Sequence, residues 1–393
     1  MKLNTENLTL LAIVFGVLFG AFLPEIALQQ QIIGSLFLSL LKMLIVPLIF
    51  ASIFVAIVGI GGVNELKGVG SKAFIYYFST TALAVVMGII IVNIINPGVG
   101  VEIAKPETAP HINEFSLDDF ILSFIPTNIV NSLANGSVIQ IIVFTVLLAM
   151  ATLHLAEEKR IPLTNFFNSL NEAMMTLAKW VIKLTPIGVF SLISFVVAEK
   201  GVESLFSLWE YVVAVILALG IHAVFTLPAI LYFVGKTSPI AYFNQVREAV
   251  LLAFSTASSS ATLPVSIEVS QEKGGVSKKN AGFILPLGAT VNMDGTALYE
   301  SIAVIFIANL AGIDLSIGQQ ILIFLTATLA SIGAAGIPGA GIVMMVIVLD
   351  TVGLPYEYIS VILVVDRILD MFRTATNVWG DLIGAKLLDK IVK

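Results

Sequence analysis

The sequence predicts an all-α polytopic membrane protein with eight transmembrane helices and two re-entrant helical hairpins. Of its 393 residues, 58% are hydrophobic and 12% are charged, and the net charge is −6. Soluble proteins carry charge at roughly twice this frequency, so the chain has too few charges to cover a water-exposed surface. Eight apolar runs have the length of a membrane-spanning helix, and two further runs are interrupted near their middle by small polar residues.

The same composition excludes several classes of function. A soluble enzyme, a disordered chain and a nucleic-acid binder would each need more charge, and the last would need a basic surface. The absence of cysteine excludes disulfides, thiolate metal sites and cysteine nucleophiles, and the three histidines are too widely spaced for a His-rich metal site. No nucleophile lies beside a base in the sequence, so we expect a protein that is not an enzyme.

The spans follow from apolar length and from the distribution of basic residues. The eight runs cover residues 8–28, 32–61, 73–95, 120–151, 163–197, 208–234, 282–310 and 356–388, and the interrupted stretches cover 241–268 and 317–354. Lys and Arg collect in cytoplasmic segments. With both interrupted stretches folded back as hairpins, thirteen Lys and Arg residues lie in inner segments and two in outer ones. We therefore expect both termini in the cytoplasm.

The interruptions lie at residues 255–264 and 331–341, and each contains a proline that we place at the tip of a hairpin. Non-helical backbone at membrane depth persists only where protein or a water-filled cavity satisfies its polar groups. Two such breaks in corresponding positions, entering from opposite sides, are typical of secondary transporters built from inverted repeats. Two ordinary kinked spans that pack through small residues are the alternative.

One face of the last span is unusually polar. This face carries five polar residues: Asp366, Asp370, Arg373, Asn377 and Asp381. Their spacings of 4, 3, 4 and 4 residues keep the side chains on one side of a helix. Each charge at the bilayer centre costs at least about 2.5 kcal/mol. An arginine of this span, Arg367 or Arg373, could simply neutralise the first two acids. Because Asn377 and Asp381 extend the face beyond those cations, we favour a cation-binding site.

The preceding span contains the sequence GATVNMDGT at residues 288–296. Gly and Asn weaken a helix, and an unwound turn would free carbonyl oxygens for a hard cation such as Na⁺, with Asp294 supplying the charge. Glu300 follows without an obvious partner. It could carry a proton across the membrane or stay a neutral hydrogen-bonding acid, and the sequence leaves both open.

Four segments carry a family resemblance. They are SSSATLP at 258–264, NMDGT at 292–296, GIPGAG at 336–341 and DMFRTATN at 370–377. In this order they resemble the signature segments of the glutamate transporter family, the dicarboxylate/amino acid:cation symporters. That family includes archaeal aspartate transporters and the excitatory amino acid transporters.

The resemblance implies an architecture. Family members are homotrimers in which a static scaffold holds a transport domain that moves like an elevator. Carried onto this chain, residues 1–70 and 101–200 correspond to the scaffold, and residues 71–100 and 201–393 to the transport domain. The resemblance also implies a multi-pass protein in the lipid bilayer of the cell inner membrane.

A substrate site is implied in the same way. Arg373 resembles the residue that binds the side-chain carboxylate of the substrate, a role that suits a planar guanidinium group. Asp370 resembles the partner of the substrate ammonium group. The residues that resemble the surroundings of the α-carboxylate and amine are Ser258, Ser259, Thr296, Thr374, Asn377 and the backbone of Gly341.

Three Na⁺ sites are also implied by the resemblance. The first set comprises Gly288, Asn292, Asn377 and Asp381. The second set comprises Thr290 and the carbonyl groups of Ser331, Ile332 and Ala334. The third set comprises Tyr77, Thr80, Thr81, Asn292 and Asp294. Glu300 matches the proton-carrying position of the excitatory transporters.

Differences within the family narrow the expected function. Arg373 indicates an acidic substrate and Asp370 an amino group, while Asp381 and the serine run at 258–260 indicate Na⁺. The chain departs from the family at Ala257 and Met371, where archaeal and excitatory members respectively carry an arginine, which leaves K⁺ counter-transport open. We expect symport of L-glutamate or L-aspartate with two or three Na⁺, and whether H⁺ accompanies them stays open. The alternatives are a purely proton-driven symporter and an anion-conducting, channel-like member.

Overall fold

The computed structural model describes residues 5–59, 66–99, 125–202, 208–331, 339–354 and 358–392. These residues are almost entirely helical and contain no strand, which confirms the all-α class. An apolar chain favours helices in a membrane because a helix satisfies its backbone N–H and C=O groups internally.

The described residues before position 203 form eight α-helices. They are α1 (Thr5–Phe22), α2 (Pro24–Gln29), α3 (Gln31–Val58), α4 (Ser71–Ile95), α5 (Ile129–Asn135), α6 (Val138–Leu153), α7 (Glu157–Lys183) and α8 (Thr185–Lys200). A π-helical turn, Leu66–Gly70, leads directly into α4.

The described residues after position 207 form nine more. They are α9 (Leu208–Ile221), α10 (Leu227–Phe233), α11 (Pro239–Thr256), α12 (Ser259–Glu272), α13 (Lys278–Val291), α14 (Asp294–Leu310), α15 (Ile317–Ser331), α16 (Ala340–Thr351) and α17 (Ile359–Val392). A second π-helical turn, His222–Thr226, joins α9 to α10 without a break in the chain's helical course.

Several predicted spans consist of two helices. The first span breaks before Pro24, which occupies the start of α2, and the fourth breaks at Gly136, whose φ of +69° is left-handed. Within the fifth, α7 and α8 bend by 49° at their junction. Four described helical segments are long and apolar enough to cross a membrane, or five if that bent pair counts as one. The membrane character is therefore clear, while the number of eight spans stays a prediction.

The first predicted hairpin is a pair of contacting helices, α11 and α12. The chain breaks at Ala257, which adopts a left-handed φ of +48°, and the Ser258 hydroxyl then accepts a hydrogen bond from the Ala261 N–H group at 3.2 Å. The predicted interruption is confirmed. The predicted position of the proline is wrong, because Pro264 lies inside α12 rather than at the tip.

The second predicted hairpin is formed by α15 and α16, which also contact each other. The connection between them, residues 332–338, lies outside the described residues together with the proline predicted at this tip. Gly339 precedes α16 with a left-handed φ of +78°.

The seventh predicted span is broken where the sequence predicts it. Helix α13 ends at Val291, α14 begins at Asp294, and Asn292 and Met293 lie between them in non-helical conformation. All residues of α14 except Asn309 are buried. The break is therefore enclosed by protein, as non-helical backbone at membrane depth requires.

The long helix α17 contacts both arms of the first hairpin as well as α13 and α14. Two tyrosine hydroxyl groups donate to its backbone: Tyr76 to the Gly380 carbonyl at 3.0 Å and Tyr242 to the Leu382 carbonyl at 2.8 Å. These contacts fix the polar face of α17 against the break between α13 and α14.

Small residues allow α1 and α3 to pack closely against α8. A Cβ atom at Gly16 would lie 3.1 Å from the Phe190 carbonyl oxygen. The Gly34 N–H group, at the start of α3, donates to the Ser191 hydroxyl at 3.0 Å. Close approach through small residues is the usual way in which helices associate within a membrane.

Candidate functional site

Arg373 lies on the buried face of α17, with none of its surface exposed. Its Nη2 atom donates to Oδ1 of Asp370 at 2.8 Å and pairs with Oδ1 of Asp366 at 3.1 Å. The spacing in the sequence correctly predicts that these three charges share one face. A buried guanidinium group needs such counter-charges because removing it from water unpaired is very costly.

Tyr299 of α14 completes the support of this guanidinium group. Its ring centroid lies 3.9 Å from Cζ of Arg373, and its hydroxyl group donates to Oδ1 of Asp366 at 2.9 Å. Asp366 therefore accepts a hydrogen bond from Tyr299 and forms an ion pair with Arg373, while the tyrosine ring lies against the cation. The sequence does not predict a role for Tyr299, since an aromatic residue in an apolar helix gives no separate signal.

Arg373 pairs with both Asp366 and Asp370. The alternative interpretation, in which an arginine of this span neutralises these two acids, therefore describes part of what the structure contains. The three charges of Arg373, Asp366 and Asp370 nevertheless sum to one net negative charge. In addition, Nη1 and Nε of Arg373 have no hydrogen-bond partner among the described residues. The guanidinium group is paired on one side and keeps donors for a further anionic group.

The second hairpin reaches this cluster. Oδ2 of Asp370 accepts a hydrogen bond from the Gly339 N–H group at 3.0 Å. Gly341 lies even closer to the arginine, because a Cβ atom there would be 2.7 Å from Nη1. Helix α16 can approach the guanidinium group only because this position has no side chain.

The remaining predicted substrate residues are only partly brought together. Asn377 accepts from the Gly295 N–H group at 2.7 Å, and its amide nitrogen donates to the Thr296 hydroxyl at 3.3 Å. Ser259 and Thr374 are buried. The Ser258 hydroxyl caps α12, as described above. Asn377 thus lies one helical turn beyond Arg373 in α17 and contacts Thr296 of α14, while the two serines lie at the start of the second arm of the first hairpin.

A second polar cluster surrounds Asp294, the first residue of α14. Its Oδ1 atom accepts from the Thr81 hydroxyl at 2.7 Å and from the Thr80 hydroxyl at 3.2 Å. Thr80 also lies 3.4 Å from Oδ1 of Asn292. The structure therefore brings together four members of the third predicted Na⁺ set, each offering an oxygen atom.

His222 belongs to this cluster and was missed by sequence analysis. It is completely buried, and its Nε2 atom lies 3.2 Å from Oδ2 of Asp294. The two residues are 72 positions apart, so spacing alone gives no sign of the contact. The polar side chain in an otherwise apolar span was the available signal.

Asp381 lies at the other side of the broken turn. Its Oδ1 atom accepts from the Asn292 amide nitrogen at 2.9 Å. A Cβ atom at Gly288 would lie 2.5 Å from that same oxygen and 2.7 Å from the Tyr77 hydroxyl. The Tyr77 hydroxyl itself donates to the Ile284 carbonyl at 2.8 Å. Gly288, Asn292 and Asp381 of the first predicted set are therefore adjacent, whereas Asn377 hydrogen-bonds toward Gly295 and Thr296.

The second predicted Na⁺ set cannot be assembled from the described residues. The Thr290 hydroxyl donates to the Leu287 carbonyl at 3.0 Å, and the Ser331 hydroxyl donates to the Thr328 carbonyl at 2.9 Å. Ile332 and Ala334 lie outside the described residues. This set stays a prediction.

Glu300 is completely buried, and neither carboxyl oxygen has a hydrogen-bond partner among the described residues. An ionised carboxylate in such surroundings would be very costly, which favours the protonated acid.

A cavity of about 250 Å³ lies next to the arginine cluster. Phe37 and Val189, from the predicted scaffold, line one side, and Ile342, Asp366 and Asp370, from the predicted transport domain, line the other. Arg367 also lines it. The two predicted domains thus meet around a space that reaches the candidate substrate residues.

Broken helices that enclose buried polar and charged side chains are typical of the class of secondary membrane transporters. The chain is a member of the sodium:dicarboxylate symporter family, whose family model matches residues 7–391. This match confirms the resemblance drawn from the four sequence segments.

Similar proteins cover nearly the full chain. This chain is 36% identical over 400 residues to the proton/glutamate-aspartate symporter of Escherichia coli, and the alignment covers 97% of this chain and 91% of that protein. It is 35% identical over 395 residues to the proton/sodium-glutamate symport protein of Bacillus caldotenax, covering 97% and 92%. It is 34% identical over 446 residues to excitatory amino acid transporter 3 of Oryctolagus cuniculus, covering 98% and 85%.

Proposed function

We propose that this protein couples inward movement of Na⁺ to uptake of L-glutamate or L-aspartate. The observation that carries the proposal is the buried Arg373, which is paired with Asp366 and Asp370 through one nitrogen and keeps two others without a partner among the described residues. The names of similar proteins, which include glutamate and glutamate-aspartate symporters, agree with an acidic substrate.

In this proposal each group of the substrate has a partner of opposite charge. The free nitrogens of Arg373 bind the side-chain carboxylate, since an arginine can form paired, charge-assisted hydrogen bonds with it. Asp370 binds the ammonium group, for which it must turn from its present partners. Ser258, Ser259, Thr296, Thr374, Asn377 and the Gly341 backbone surround the α-carboxylate and amine.

Two or three Na⁺ ions are the coupled cargo. The described oxygen atoms around Asp294 and around Asp381 are carboxylate, amide and hydroxyl groups, which suit a hard cation. These two acids add negative charge near a cluster in which Arg373 is already paired with two carboxylates, and the site then receives an anionic substrate. In a low-dielectric interior that repulsion is large, so Na⁺ must bind before or together with the substrate.

Transport itself is proposed to follow an elevator mechanism. Residues 71–100 and 201–393 would move as the transport domain against a scaffold formed by residues 1–70 and 101–200 in each protomer of a homotrimer. Broken helices enclosed within one domain support this mechanism, because the site can then cross the membrane without being dismantled. The proposed location is the cell inner membrane, with both termini in the cytoplasm.

A proton-driven symporter is the second candidate. The observation in its favour is Glu300, whose buried carboxyl group has no partner among the described residues and so favours the protonated form. A carboxyl group that carries H⁺ in one direction and loses it on the other side would couple uptake to a pH gradient.

The deciding experiment is uptake of radiolabelled L-aspartate and L-glutamate into liposomes that contain the purified protein. One set of vesicles receives an inward Na⁺ gradient, and a second receives an inward H⁺ gradient in Na⁺-free buffer, with radiolabelled L-leucine as the neutral control. We expect accumulation of an acidic amino acid only with Na⁺. Accumulation driven by the pH gradient alone would contradict the Na⁺ proposal and support the second candidate.

A further inference from the structure

His222 lies at the start of the π-helical turn His222–Thr226, between α9 and α10. A π turn accommodates one extra residue and frequently occurs at functional sites. The turn is held against α17, since the Trp379 indole N–H group donates to the Ala223 carbonyl at 3.0 Å. His222, the first residue of this turn, is completely buried.

The contact of His222 with Asp294 indicates which ring nitrogen carries the donated hydrogen atom. Nδ1 has no partner among the described residues, while Nε2 lies 3.2 Å from Oδ2 of Asp294. A neutral imidazole carries one N–H donor, and only a protonated Nε2 can donate to the carboxylate. The contact therefore places a hydrogen atom on Nε2, which donates to Oδ2 of Asp294.

The three hydrogen-bond donors around Asp294 bind both oxygen atoms of its carboxylate. Thr80 and Thr81 donate to Oδ1, and His222 donates to Oδ2. The carboxylate plane is fixed because both oxygens are held. Oδ1 consequently faces the threonine hydroxyl groups and the side-chain oxygen of Asn292, whereas Oδ2 is occupied by a donor that cannot coordinate a cation.

We propose that His222 is a positioning residue for cation binding, which orients Asp294 so that Oδ1 is presented to Na⁺. This inference rests on the proposed Na⁺ coupling and assigns a role to a residue outside the predicted cation sets. It does not involve a change in the protonation of the histidine. Without the N–H donor, the carboxylate can rotate away from the other oxygen ligands, and Na⁺ binding weakens.

The test measures Na⁺ dependence and substrate affinity separately in the liposome assay. His222→Leu removes the donor, whereas His222→Gln keeps an N–H group near the position of Nε2. We expect His222→Leu to raise the half-saturating Na⁺ concentration about tenfold, the range for loss of one hydrogen bond to a charged group. KM for aspartate at saturating Na⁺ should change little. The control His154→Leu alters an exposed histidine of the same chain and should behave like the wild type.

Two amide variants, His222→Gln and His222→Asn, keep the test decisive if His222→Leu does not fold. His222→Gln should keep the Na⁺ dependence within about threefold of the wild type, and His222→Asn, whose amide is one methylene shorter, should show the larger loss. Equal Na⁺ dependence in these two variants, or an unchanged value in His222→Leu, would overturn the positioning role alone. Wild-type uptake that does not depend on Na⁺ would instead overturn the proposed function and this inference with it.

Discussion

Gly341 and Arg373 lie so close together that the glycine has no room for a side chain. A Cβ atom built at Gly341 would be 2.7 Å from Nη1 and 3.1 Å from Cζ of the arginine. Because Nη1 is one of the two nitrogens without a partner among the described residues, this contact lies where the substrate carboxylate is proposed to bind. The second hairpin therefore limits the space around the donors of the guanidinium group.

Gly341→Ala should lower substrate affinity. The added methyl group displaces the guanidinium group or excludes the substrate carboxylate, and we expect KM for aspartate to rise about tenfold or more, since a charge-assisted hydrogen bond is lost or distorted. The check is the concentration dependence of uptake at saturating Na⁺. Gly220→Ala, where no atom lies within 4 Å of the added carbon, is the matched control. An unchanged KM would contradict the proposal that the contact between Gly341 and the guanidinium group lies where the substrate carboxylate binds.

Replacement of Arg373 by lysine should strongly reduce uptake of acidic amino acids. Arg373→Lys keeps the positive charge for Asp366 and Asp370 but loses the planar arrangement of donors, so folding should be retained while transport falls by about 100-fold, equivalent to roughly 2.7 kcal/mol. Uptake of aspartate and glutamate is measured beside the amount of folded protein recovered from detergent. The exposed Arg247, changed to lysine, is the control. Undiminished aspartate uptake would refute the assignment of Arg373.

Tyr299→Phe should weaken substrate binding more mildly. The ring remains against the guanidinium group, but the hydrogen bond from the hydroxyl group to Asp366, 2.9 Å long, is lost. Asp366 is then held less firmly, and we expect KM to rise about threefold to tenfold, the range for one hydrogen bond of about 0.5–1.5 kcal/mol. Tyr232→Phe, which changes an exposed tyrosine, should have no effect. A rise of equal size in both variants would argue against a specific role for Tyr299.

The broken helices and the shared charged face were predictable because their signals are local. The run of Asn, Asp and Gly at 288–296 weakens a helix wherever it occurs, and the structure breaks there between Val291 and Asp294. Helical periodicity likewise places Asp366, Asp370 and Arg373 on one face.

Contacts between distant segments could not be derived in this way. His222 meets Asp294 across 72 positions, and Tyr299 meets Asp366 across 67. Both depend on how the helices pack, which hydropathy does not determine. The proline at 264 was misplaced for a related reason: the sequence marks the region of a break, but the left-handed Ala257 and the cap at Ser258 decide which residue forms it.

Asp381→Asn should weaken Na⁺ binding while preserving the local hydrogen bond. An asparagine oxygen can still accept from the Asn292 amide, which lies 2.9 Å from Oδ1 of Asp381, but the negative charge is gone. We expect the half-saturating Na⁺ concentration to rise more than about tenfold, since a buried charge contributes more than one ordinary hydrogen bond. Na⁺ titration of aspartate uptake checks this, with the exposed Glu248→Gln as control. A similar Na⁺ requirement in both variants would exclude Asp381 as a cation ligand.

Asp389→Ala should reduce stability without changing the substrate or cation sites. The Asp389 carboxylate is buried near the end of α17 and accepts from the Asn280 amide at 2.8 Å and from the Ser277 N–H group at 3.2 Å. It therefore anchors the start of α13 to α17. Loss of these bonds leaves buried donors unsatisfied and should cost about 2–3 kcal/mol of unfolding free energy.

The expected result is a lower melting temperature in detergent with an unchanged KM and an unchanged half-saturating Na⁺ concentration in the protein that remains folded. Asp389→Asn, which keeps an acceptor oxygen, should recover part of the lost stability. Comparing the melting temperature with KM and the half-saturating Na⁺ concentration separates residues that hold the helices together from residues that bind substrate or Na⁺. A change in Na⁺ dependence without a change in melting temperature would place Asp389 in the second group, because a purely structural anchor affects the amount of folded protein and not its affinities.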